Sequence, residues 1–288
     1  MKFRWMREHP EFSVVAMCRV LGVSKSGYYA ARKRPPSKRQ QRNDELLPKI
    51  RAFFEASEQN YGSPRIHKDL RDADEQVSRK TVAKLLKKEG ITPMRPKPFK
   101  PMTTDSNHTH PIAPNLLDRQ FTQSEPDRVW VSDITYIRTA EGWLYVAAVM
   151  DLCTRRIIGY AMADHLRASL AIDALDMALR NRRGRIKPGL IHHSDRGVQY
   201  ACVSYRALLE AHGITPSMSR TGNCYDNAAM ESLFATLKRE CTNRYDFATR
   251  DDATAAIVQY IETFYNRTRR HSTLGYISPI QFEKNLAA

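Results

Sequence analysis

The sequence predicts an α/β fold, a mixed five-stranded sheet with flanking helices, preceded by all-α helix-turn-helix segments. Three observations predict it. After residue 126 come three consecutive strand-like runs and then an alternation of helix, strand, helix, strand, helix; hairpin-linked strands followed by such alternation give a sheet with both senses of pairing. Before residue 93 the apolar residues recur at helical spacing instead. Between the two, seven of the 15 prolines fall within residues 93–126, which makes an extended, semi-rigid stretch. The division expected is a helix-turn-helix segment at 1–40, a second helix-turn-helix-like helical domain at 41–92, a proline-rich linker at 93–125, and an α/β domain with C-terminal helices at 126–288.

The first segment reads helix, turn, helix over residues 12–34. Val15, Val20 and Leu21 are expected inward, and Gly22 ends the first helix. Ser24 caps the second, which carries Lys25, Arg32, Lys33 and Arg34. "RPPSKRQQR" then breaks the pattern. In the next block "LLPKIRAFFEAS" is helical, and "YGSPRIHKDLRDAD" starts another helix with Ser63 as cap and Pro64 in the first position. In "VSRKTVAKLLKKEG", Ser78 caps and Gly90 terminates. Val82, Leu85 and Leu86 form its apolar stripe; Arg79, Lys80, Lys84, Lys87 and Lys88 form a basic face. That helix is a candidate recognition helix, equally readable as an amphipathic helix with a solvated side.

The α/β part opens with "RVWVSDITYIRT", "GWLYVAAVMDLCTR" and "RIIGYAMADH", three strands joined by short turns. "SLAIDALDMALRNR" is an amphipathic helix with Ser169 as cap. "GLIHHSD" is the fourth strand, "VSYRALLEAHG" a helix, and "ITPSMS" a fifth short strand. A polar loop, "RTGNCYDN", leads to the helices "AAMESLFATLKREC" and "DDATAAIVQYIETFYNRTRR".

Composition narrows the function. Hydrophobic residues make up 42%, enough for an ordinary core. No apolar run approaches the roughly 18 residues of a membrane span, and the N-terminus lacks the apolar core of a secretory signal. Five scattered cysteines without a CxxC pair point to a reducing cytoplasm, and against disulfides or structural zinc. The net charge is +15, and it is uneven: residues 1–100 carry 24 basic and 11 acidic residues, the remaining 188 carry 22 and 20. The first third is therefore the part suited to a polyanion.

Three acids stand out. Asp133 lies inside the first strand among apolar neighbours, where a charge is costly unless paired or ion-bound. Asp195 ends the fourth strand, as either a turn-closing aspartate or an ion-binding carboxylate. If the two strands are neighbours, the carboxylates repel unless a cation bridges them, and oxygen-only ligands suit Mg²⁺ or Mn²⁺. Glu231 sits in the helix after the polar loop, where Asp226 or Asn227 can cap. Lys238 follows two turns later on nearly the same face. Asp151 reads as a turn residue bonded to Arg155 or Arg156. His192, His193 and Arg196 read as supporting or packing residues, and Gly197 as the turn beside the site. Asn223, Asp226 and Asn227 are expected to order the polar loop.

Asp133 and Asp195 are 62 positions apart, and 35 residues separate Asp195 from Glu231. With "WVSDITYI", "HSDRGVQY", "GNCYDNAAMESLFATLKRE" and "YNRTRRHSTLGYISPIQFE" in order, the chain resembles the DDE transposases and retroviral integrases. It is most similar to the OrfB-type products of the bacterial insertion sequences of the IS-three family. The resemblance spans essentially the whole chain, including "RVLGVSKSGYYA" and "YGSPRI". It implies an RNase H-like core in which Asp133, Asp195 and Glu231 hold two Mg²⁺ or Mn²⁺ ions and Lys238 contacts the DNA end. The implied activity is DNA 3′-end cleavage and strand transfer on double-stranded DNA by a homo-oligomer. Arg79, Lys80, Lys84, Lys25 and Arg32 are the expected further DNA contacts. The paired His and Cys of the retroviral zinc module are absent, so no zinc is expected. No heptad run is present, so a fusion or complex with an upstream-frame protein is a possible partner. The location implied is cytoplasmic, at the nucleoid when DNA-bound. The alternatives are a hydrolysing nuclease of the same fold, and a non-catalytic DNA-binding regulator or accessory half of a fused transposase.

Overall fold

A computed structural model describes residues 2–93, 110–220 and 224–287. Most of the proline-rich stretch, and Asn223, lie outside the described residues. Three helices open the chain: α1 (Lys2–Glu8), α2 (Val14–Leu21) and α3 (Lys25–Lys33). Ser13 and Ser24 cap α2 and α3 through their hydroxyls, and Gly22 ends α2 in the left-handed region, as the sequence predicts. The inward face is the expected one only at Leu21, which packs against the core. Met6, Met17, Cys18 and Tyr28 form the small core, while Val15 and Val20 are 56% and 83% exposed. The cause is α1, which the sequence reading lacked: it selects the face of α2 that is buried.

The second helical block is α4 (Lys38–Ala56), α5 (Ser63–Asp72) and α6 (Arg79–Lys88). The basic run after Pro36 is helical rather than a break, because Ser37 caps α4. Gly62, not Ser63, occupies the cap position of α5, without a side-chain bond. Ser78 caps α6, with Val82, Leu85 and Leu86 buried as predicted.

The sheet order is β3-β2-β1-β4-β5, from β1 (Val129–Thr139), β2 (Gly142–Asp151), β3 (Ile157–Ala163), β4 (Ile191–Ser194) and β5 (Thr215–Met218). The first three strands pair antiparallel, and β4 joins β1 and β5 in parallel. The mixed five-stranded sheet predicted from sequence is the one found. Helices α7 (Ala168–Asn181), the single turn α8 (Val198–Ala201) and α9 (Val203–Ala211) cover one face over Trp130, Val149 and Ile158. Arg167 rather than Ser169 takes the cap position of α7, again without a side-chain bond. Helices α10 (Ala228–Glu240) and α11 (Arg250–Gln259) cover the other face over Val129 and Val131. A π-helical turn at Tyr260–Tyr265 follows α11, and α12 (Pro279–Ala287), not foreseen from sequence, closes the chain. No helix among the described residues is long and apolar enough to cross a membrane.

Helix α7 lies so close to β3 that only glycine fits at position 159. A Cβ there would stand 2.2 Å from the Ala174 carbonyl oxygen and 2.6 Å from the Ala178 nitrogen. Both are backbone atoms and cannot rotate away. Gly159→Ala is expected to lower unfolding free energy by about 3 kcal/mol, read from denaturant midpoints; an unchanged midpoint would contradict this packing.

The second helical block packs onto the α/β part. Ile50, Ile66, Leu70 and Val82 belong to the same buried cluster as Val131, Met230 and Ile257. The "YGSPR" turn faces the C-terminal "RRHS" segment. The Arg270 backbone N–H donates to the Tyr61 hydroxyl at 2.7 Å, and Arg65 Nε donates to the Arg270 carbonyl at 2.9 Å. The Arg270 side chain binds Asp69 at 2.6 Å. Glu240, at the end of α10, accepts two bonds from Arg269, at 2.6 and 2.8 Å, and one from the Tyr260 hydroxyl at 2.8 Å. Burial would raise the Glu240 carboxyl; the bonds and charge of Arg269 outweigh it and hold the group below its ordinary range.

Candidate active site

The register of β1 against β4 places the two aspartates. Val129, Trp130 and Val131 pair with Ile191, His192 and His193, an offset equal to the spacing of Asp133 and Asp195. Two residues beyond the last pair, the carboxylates therefore stand at one level on one face of neighbouring parallel strands. Both line one small cavity with Tyr136, Tyr145, Gln199 and Tyr200. Beyond Asp133, β1 continues paired with β2 alone, so the site opens along an edge of the sheet.

Asp133 is partly buried, and one of its oxygens accepts from the Ile134 N–H at 2.7 Å. Burial first, then the charges of Asp195 and Glu231, hold its carboxyl well above the usual carboxylate range, and Lys238 opposes them. Asp195 accepts from the Gly197 N–H at 2.9 Å, closing a tight turn between β4 and α8. The turn reading and the ion reading of Asp195 are thus compatible: one oxygen serves the turn.

Glu231 occupies the first turn of α10 and is exposed. Its carboxyl is raised by burial, and its charge reaches Asp133, but it is not on the wall of the aspartate cavity. Among the described residues no three Asp, Glu, His or Cys side chains are gathered closely enough to share one ion. Lys238 places its ammonium 5.2 Å from the centre of the Tyr136 ring. Burial lowers its affinity for the proton, and Asp133 raises it.

The surrounding residues fix this arrangement. Asn227 donates from its amide to the Ser132 carbonyl at 3.2 Å, pinning the start of α10 to the strand residue before Asp133. It makes no side-chain cap. Asp226 gathers described residues from two segments: Arg220, Arg119 and Asn115 donate to it, and Arg220 first among them holds its carboxyl well below the ordinary range. Arg119 and Asn115 fall in the described part of the stretch expected as linker. There Leu117 is buried and the Leu116 N–H bonds Ser217 at 2.9 Å. Asp151 is the turn residue expected and is bonded to both arginines through the backbone: its carbonyl accepts from the Arg155 N–H at 2.9 Å and its N–H donates to the Arg156 carbonyl at 3.0 Å. Its side chain accepts from the Asp127 N–H and from the Thr154 N–H and hydroxyl, each at 2.7 Å. The side chains of Arg156 and Arg155 go elsewhere, to Glu283 and to the Phe121 carbonyl.

His192 and His193 are buried away from the carboxylates. His192 meets the Ser132 and Tyr205 hydroxyls at 2.7 and 3.0 Å; His193 meets Ser217 and Ser219 at 2.9 and 3.2 Å. Burial pushes them down to about 3 and about 4. The unfolded chain binds protons near pH 6.5 that these sites refuse, so their contribution is present above pH 6.5 and lost on acidification toward pH 4. Asp133 runs the other way and offsets part of this. Stability is expected to fall by about 1–2 kcal/mol per pH unit between pH 6.5 and 4.5, measured as denaturant midpoints; a flat profile would contradict neutral buried imidazoles.

The basic residues lie on two separate helices. Arg79, Lys80 and Lys84 are exposed on α6, and Lys25 and Arg32 on α3. Sequence reasoning missed Tyr200, whose burial against both aspartates depends on the turn at Gly197.

Comparison with known proteins agrees with this architecture. A family described as an integrase core domain matches residues 123–224, and a second so described matches 212–279. An HTH-like domain matches residues 41–99. The chain is 46% identical over 268 residues to an insertion element IS600 uncharacterized 31 kDa protein of Shigella sonnei, covering 93% of this chain and 97% of that protein. It is 44% identical over 292 residues to the transposase InsF for insertion sequence IS3A of Escherichia coli (strain K12), covering 100% of both. Among solved structures, the HTLV-2 integrase catalytic core domain in complex with magnesium aligns over 56% of this chain and 98% of that one, at 13% identity and a TM-score of 0.44. Matched end to end by a transposase and across its sheet by the integrase core, this chain belongs to the IS3 family of transposases, DDE-type polynucleotidyl transferases.

Proposed function

We propose that this transposase cuts the 3′ ends of its insertion sequence and joins them to target DNA, using Asp133, Asp195 and Glu231 as ligands for two Mg²⁺ or Mn²⁺ ions. The observation that carries the reading is the pair of aspartates at one level on adjacent strands. The donor set fits such ions: the charges of Asp195 and Glu231 raise the proton affinity of Asp133, the carboxylate oxygens are hard donors, and the nearby imidazoles are engaged elsewhere. When bound, divalent ions supply activation of the attacking oxygen and stabilisation of the leaving oxygen. Glu231 completes the ligand set from α10, whose first turn adjoins Asp226 and the residues it gathers.

The reaction needs no covalent enzyme intermediate. Water attacks the phosphodiester at the element end and its proton leaves to solvent, freeing a 3′-hydroxyl. That hydroxyl then attacks a target phosphate, and the target's own 3′-oxygen departs. Lys238, beside Asp133 on the side of α10, meets the DNA-end phosphates. Arg79, Lys80 and Lys84 on α6, and Lys25 and Arg32 on α3, hold flanking duplex by its backbone. The working species is a homo-oligomer on double-stranded DNA in the cytoplasm, at the nucleoid, with the upstream-frame protein of the element as a further partner.

The test is a strand-transfer assay with a labelled element-end oligonucleotide bearing a free 3′-hydroxyl, a plasmid and Mg²⁺. Joined product supports the reading, and cut product without joining would make the chain a nuclease. For the basic helix, the double variant Lys80→Ala and Lys84→Ala is expected to weaken DNA binding for all sequences alike. The slope of log affinity against log salt should fall by about 1 per phosphate contact removed. An unchanged slope would take α6 off the DNA.

A further inference from the structure

Tyr200 is 3% exposed, and its hydroxyl has no hydrogen-bond partner among the described residues. Leaving a buried hydroxyl unpaired is costly, and native folds keep few such groups without a reason. The surroundings supply one. The ring stands edge-on to Tyr205, centroids 5.3 Å apart, and the Tyr205 hydroxyl is already taken by His192. Tyr200 shares the cavity wall with Asp133 and Asp195, and that cavity has about 20 Å³ of free volume, room for about one water. Both carboxylate charges act on the Tyr200 hydroxyl.

The backbone makes the arrangement a unit. The Tyr200 N–H donates to the Gly197 carbonyl at 3.0 Å, while the Gly197 N–H donates to Asp195. A Cβ on Gly197 would stand 2.9 Å from Gln199 Oε1 and 3.0 Å from that Asp195 oxygen, and in ordinary contact with the Tyr200 ring at 3.7 Å, so glycine leaves the turn carboxylate its room.

We propose that the Tyr200 hydroxyl seats a single water between the Asp133 and Asp195 carboxylates and thereby positions both for a divalent ion, an inference resting on the reading of those residues as ion ligands. The phenol donates to the water oxygen, and the two water hydrogens go one to each carboxylate. Tyr200 is a positioning residue and does not touch the reacting phosphate.

The experiment is a Mn²⁺ titration of the full chain without DNA, following free Mn²⁺ by electron paramagnetic resonance, beside metal-free thermal melts. The proteins are the wild type, Tyr200→Phe, Tyr205→Phe and Asp195→Asn. Tyr200→Phe is expected to weaken Mn²⁺ binding about tenfold while its metal-free Tm stays the same or rises. Tyr205→Phe, which loses a bond to His192 away from the cavity, should melt lower and keep its Mn²⁺ affinity. If Tyr200→Phe binds Mn²⁺ like the wild type while Asp195→Asn does not, the role of Tyr200 is overturned and the ligand assignment survives. If Asp195→Asn also binds like the wild type, the ligand assignment falls and the water seat falls with it.

Discussion

Asp195→Asn is expected to reduce strand transfer by about 10³-fold or more, equivalent to about 4 kcal/mol of transition-state stabilisation, with DNA binding unchanged. The substitution removes a charge and almost nothing else. An asparagine side-chain oxygen still accepts from the Gly197 N–H, so the turn between β4 and α8 persists. The basic residues on α3 and α6 are untouched, so gel-shift affinity for an element end should match the wild type. Asp133 should respond as well. With the neighbouring charge gone, its carboxyl moves down toward the ordinary range, because Asp195 is the largest charge raising it. Joined product from the variant at the wild-type rate in Mg²⁺ would remove Asp195 from the chemistry.

Glu240→Ala is the structural counterpart, expected to cost about 3–5 kcal/mol. That is a large part of the 5–15 kcal/mol that ordinarily separates folded from unfolded chains. Arg269 is 3% exposed, and the substitution leaves its guanidinium buried without the two bonds it gives Glu240. The Tyr260 hydroxyl loses its acceptor at the same time. Glu240→Gln keeps an acceptor for Arg269 but not the charge and should cost less, so the difference between the two variants isolates the lost acceptor. Denaturant unfolding measures both; a loss below about 1 kcal/mol for Glu240→Ala would mean that the pair contributes little. The consequence reaches the site, because Glu240 terminates the helix that carries Glu231 and Lys238.

The sheet was legible because its strands are runs of β-branched and aromatic residues bounded by turns, and hairpin order follows from short connections. Asp133 stood out because a carboxylate inside an apolar strand is anomalous on its own terms. What escaped depends on contacts distant in sequence. The inward face of α2 is chosen by α1, so Val15 and Val20 could not be placed outside without it. Asp151 bonds its two neighbouring arginines through the backbone alone, and its carboxylate goes to Thr154 and to the backbone of Asp127, 24 residues away. Glu240 and Arg269 lie 29 residues apart, and nothing local to either announces the pair. The convergence of Asp133 and Asp195 was conditional in the sequence on their strands being neighbours; the β1–β4 pairing satisfies the condition.

That pairing also decides which changes in chain length the site tolerates. Strand β4 returns to β1 through backbone hydrogen bonds, so register, and not the length of chain in between, brings Asp195 level with Asp133. The loops around α7 are free to lengthen or shorten without separating the carboxylates. Parity is the part that is not free. One residue inserted between Ile191 and Asp195 would turn the second carboxylate to the opposite face of the sheet, toward the α7 and α9 side, whereas two inserted residues would restore its face and shift only its level.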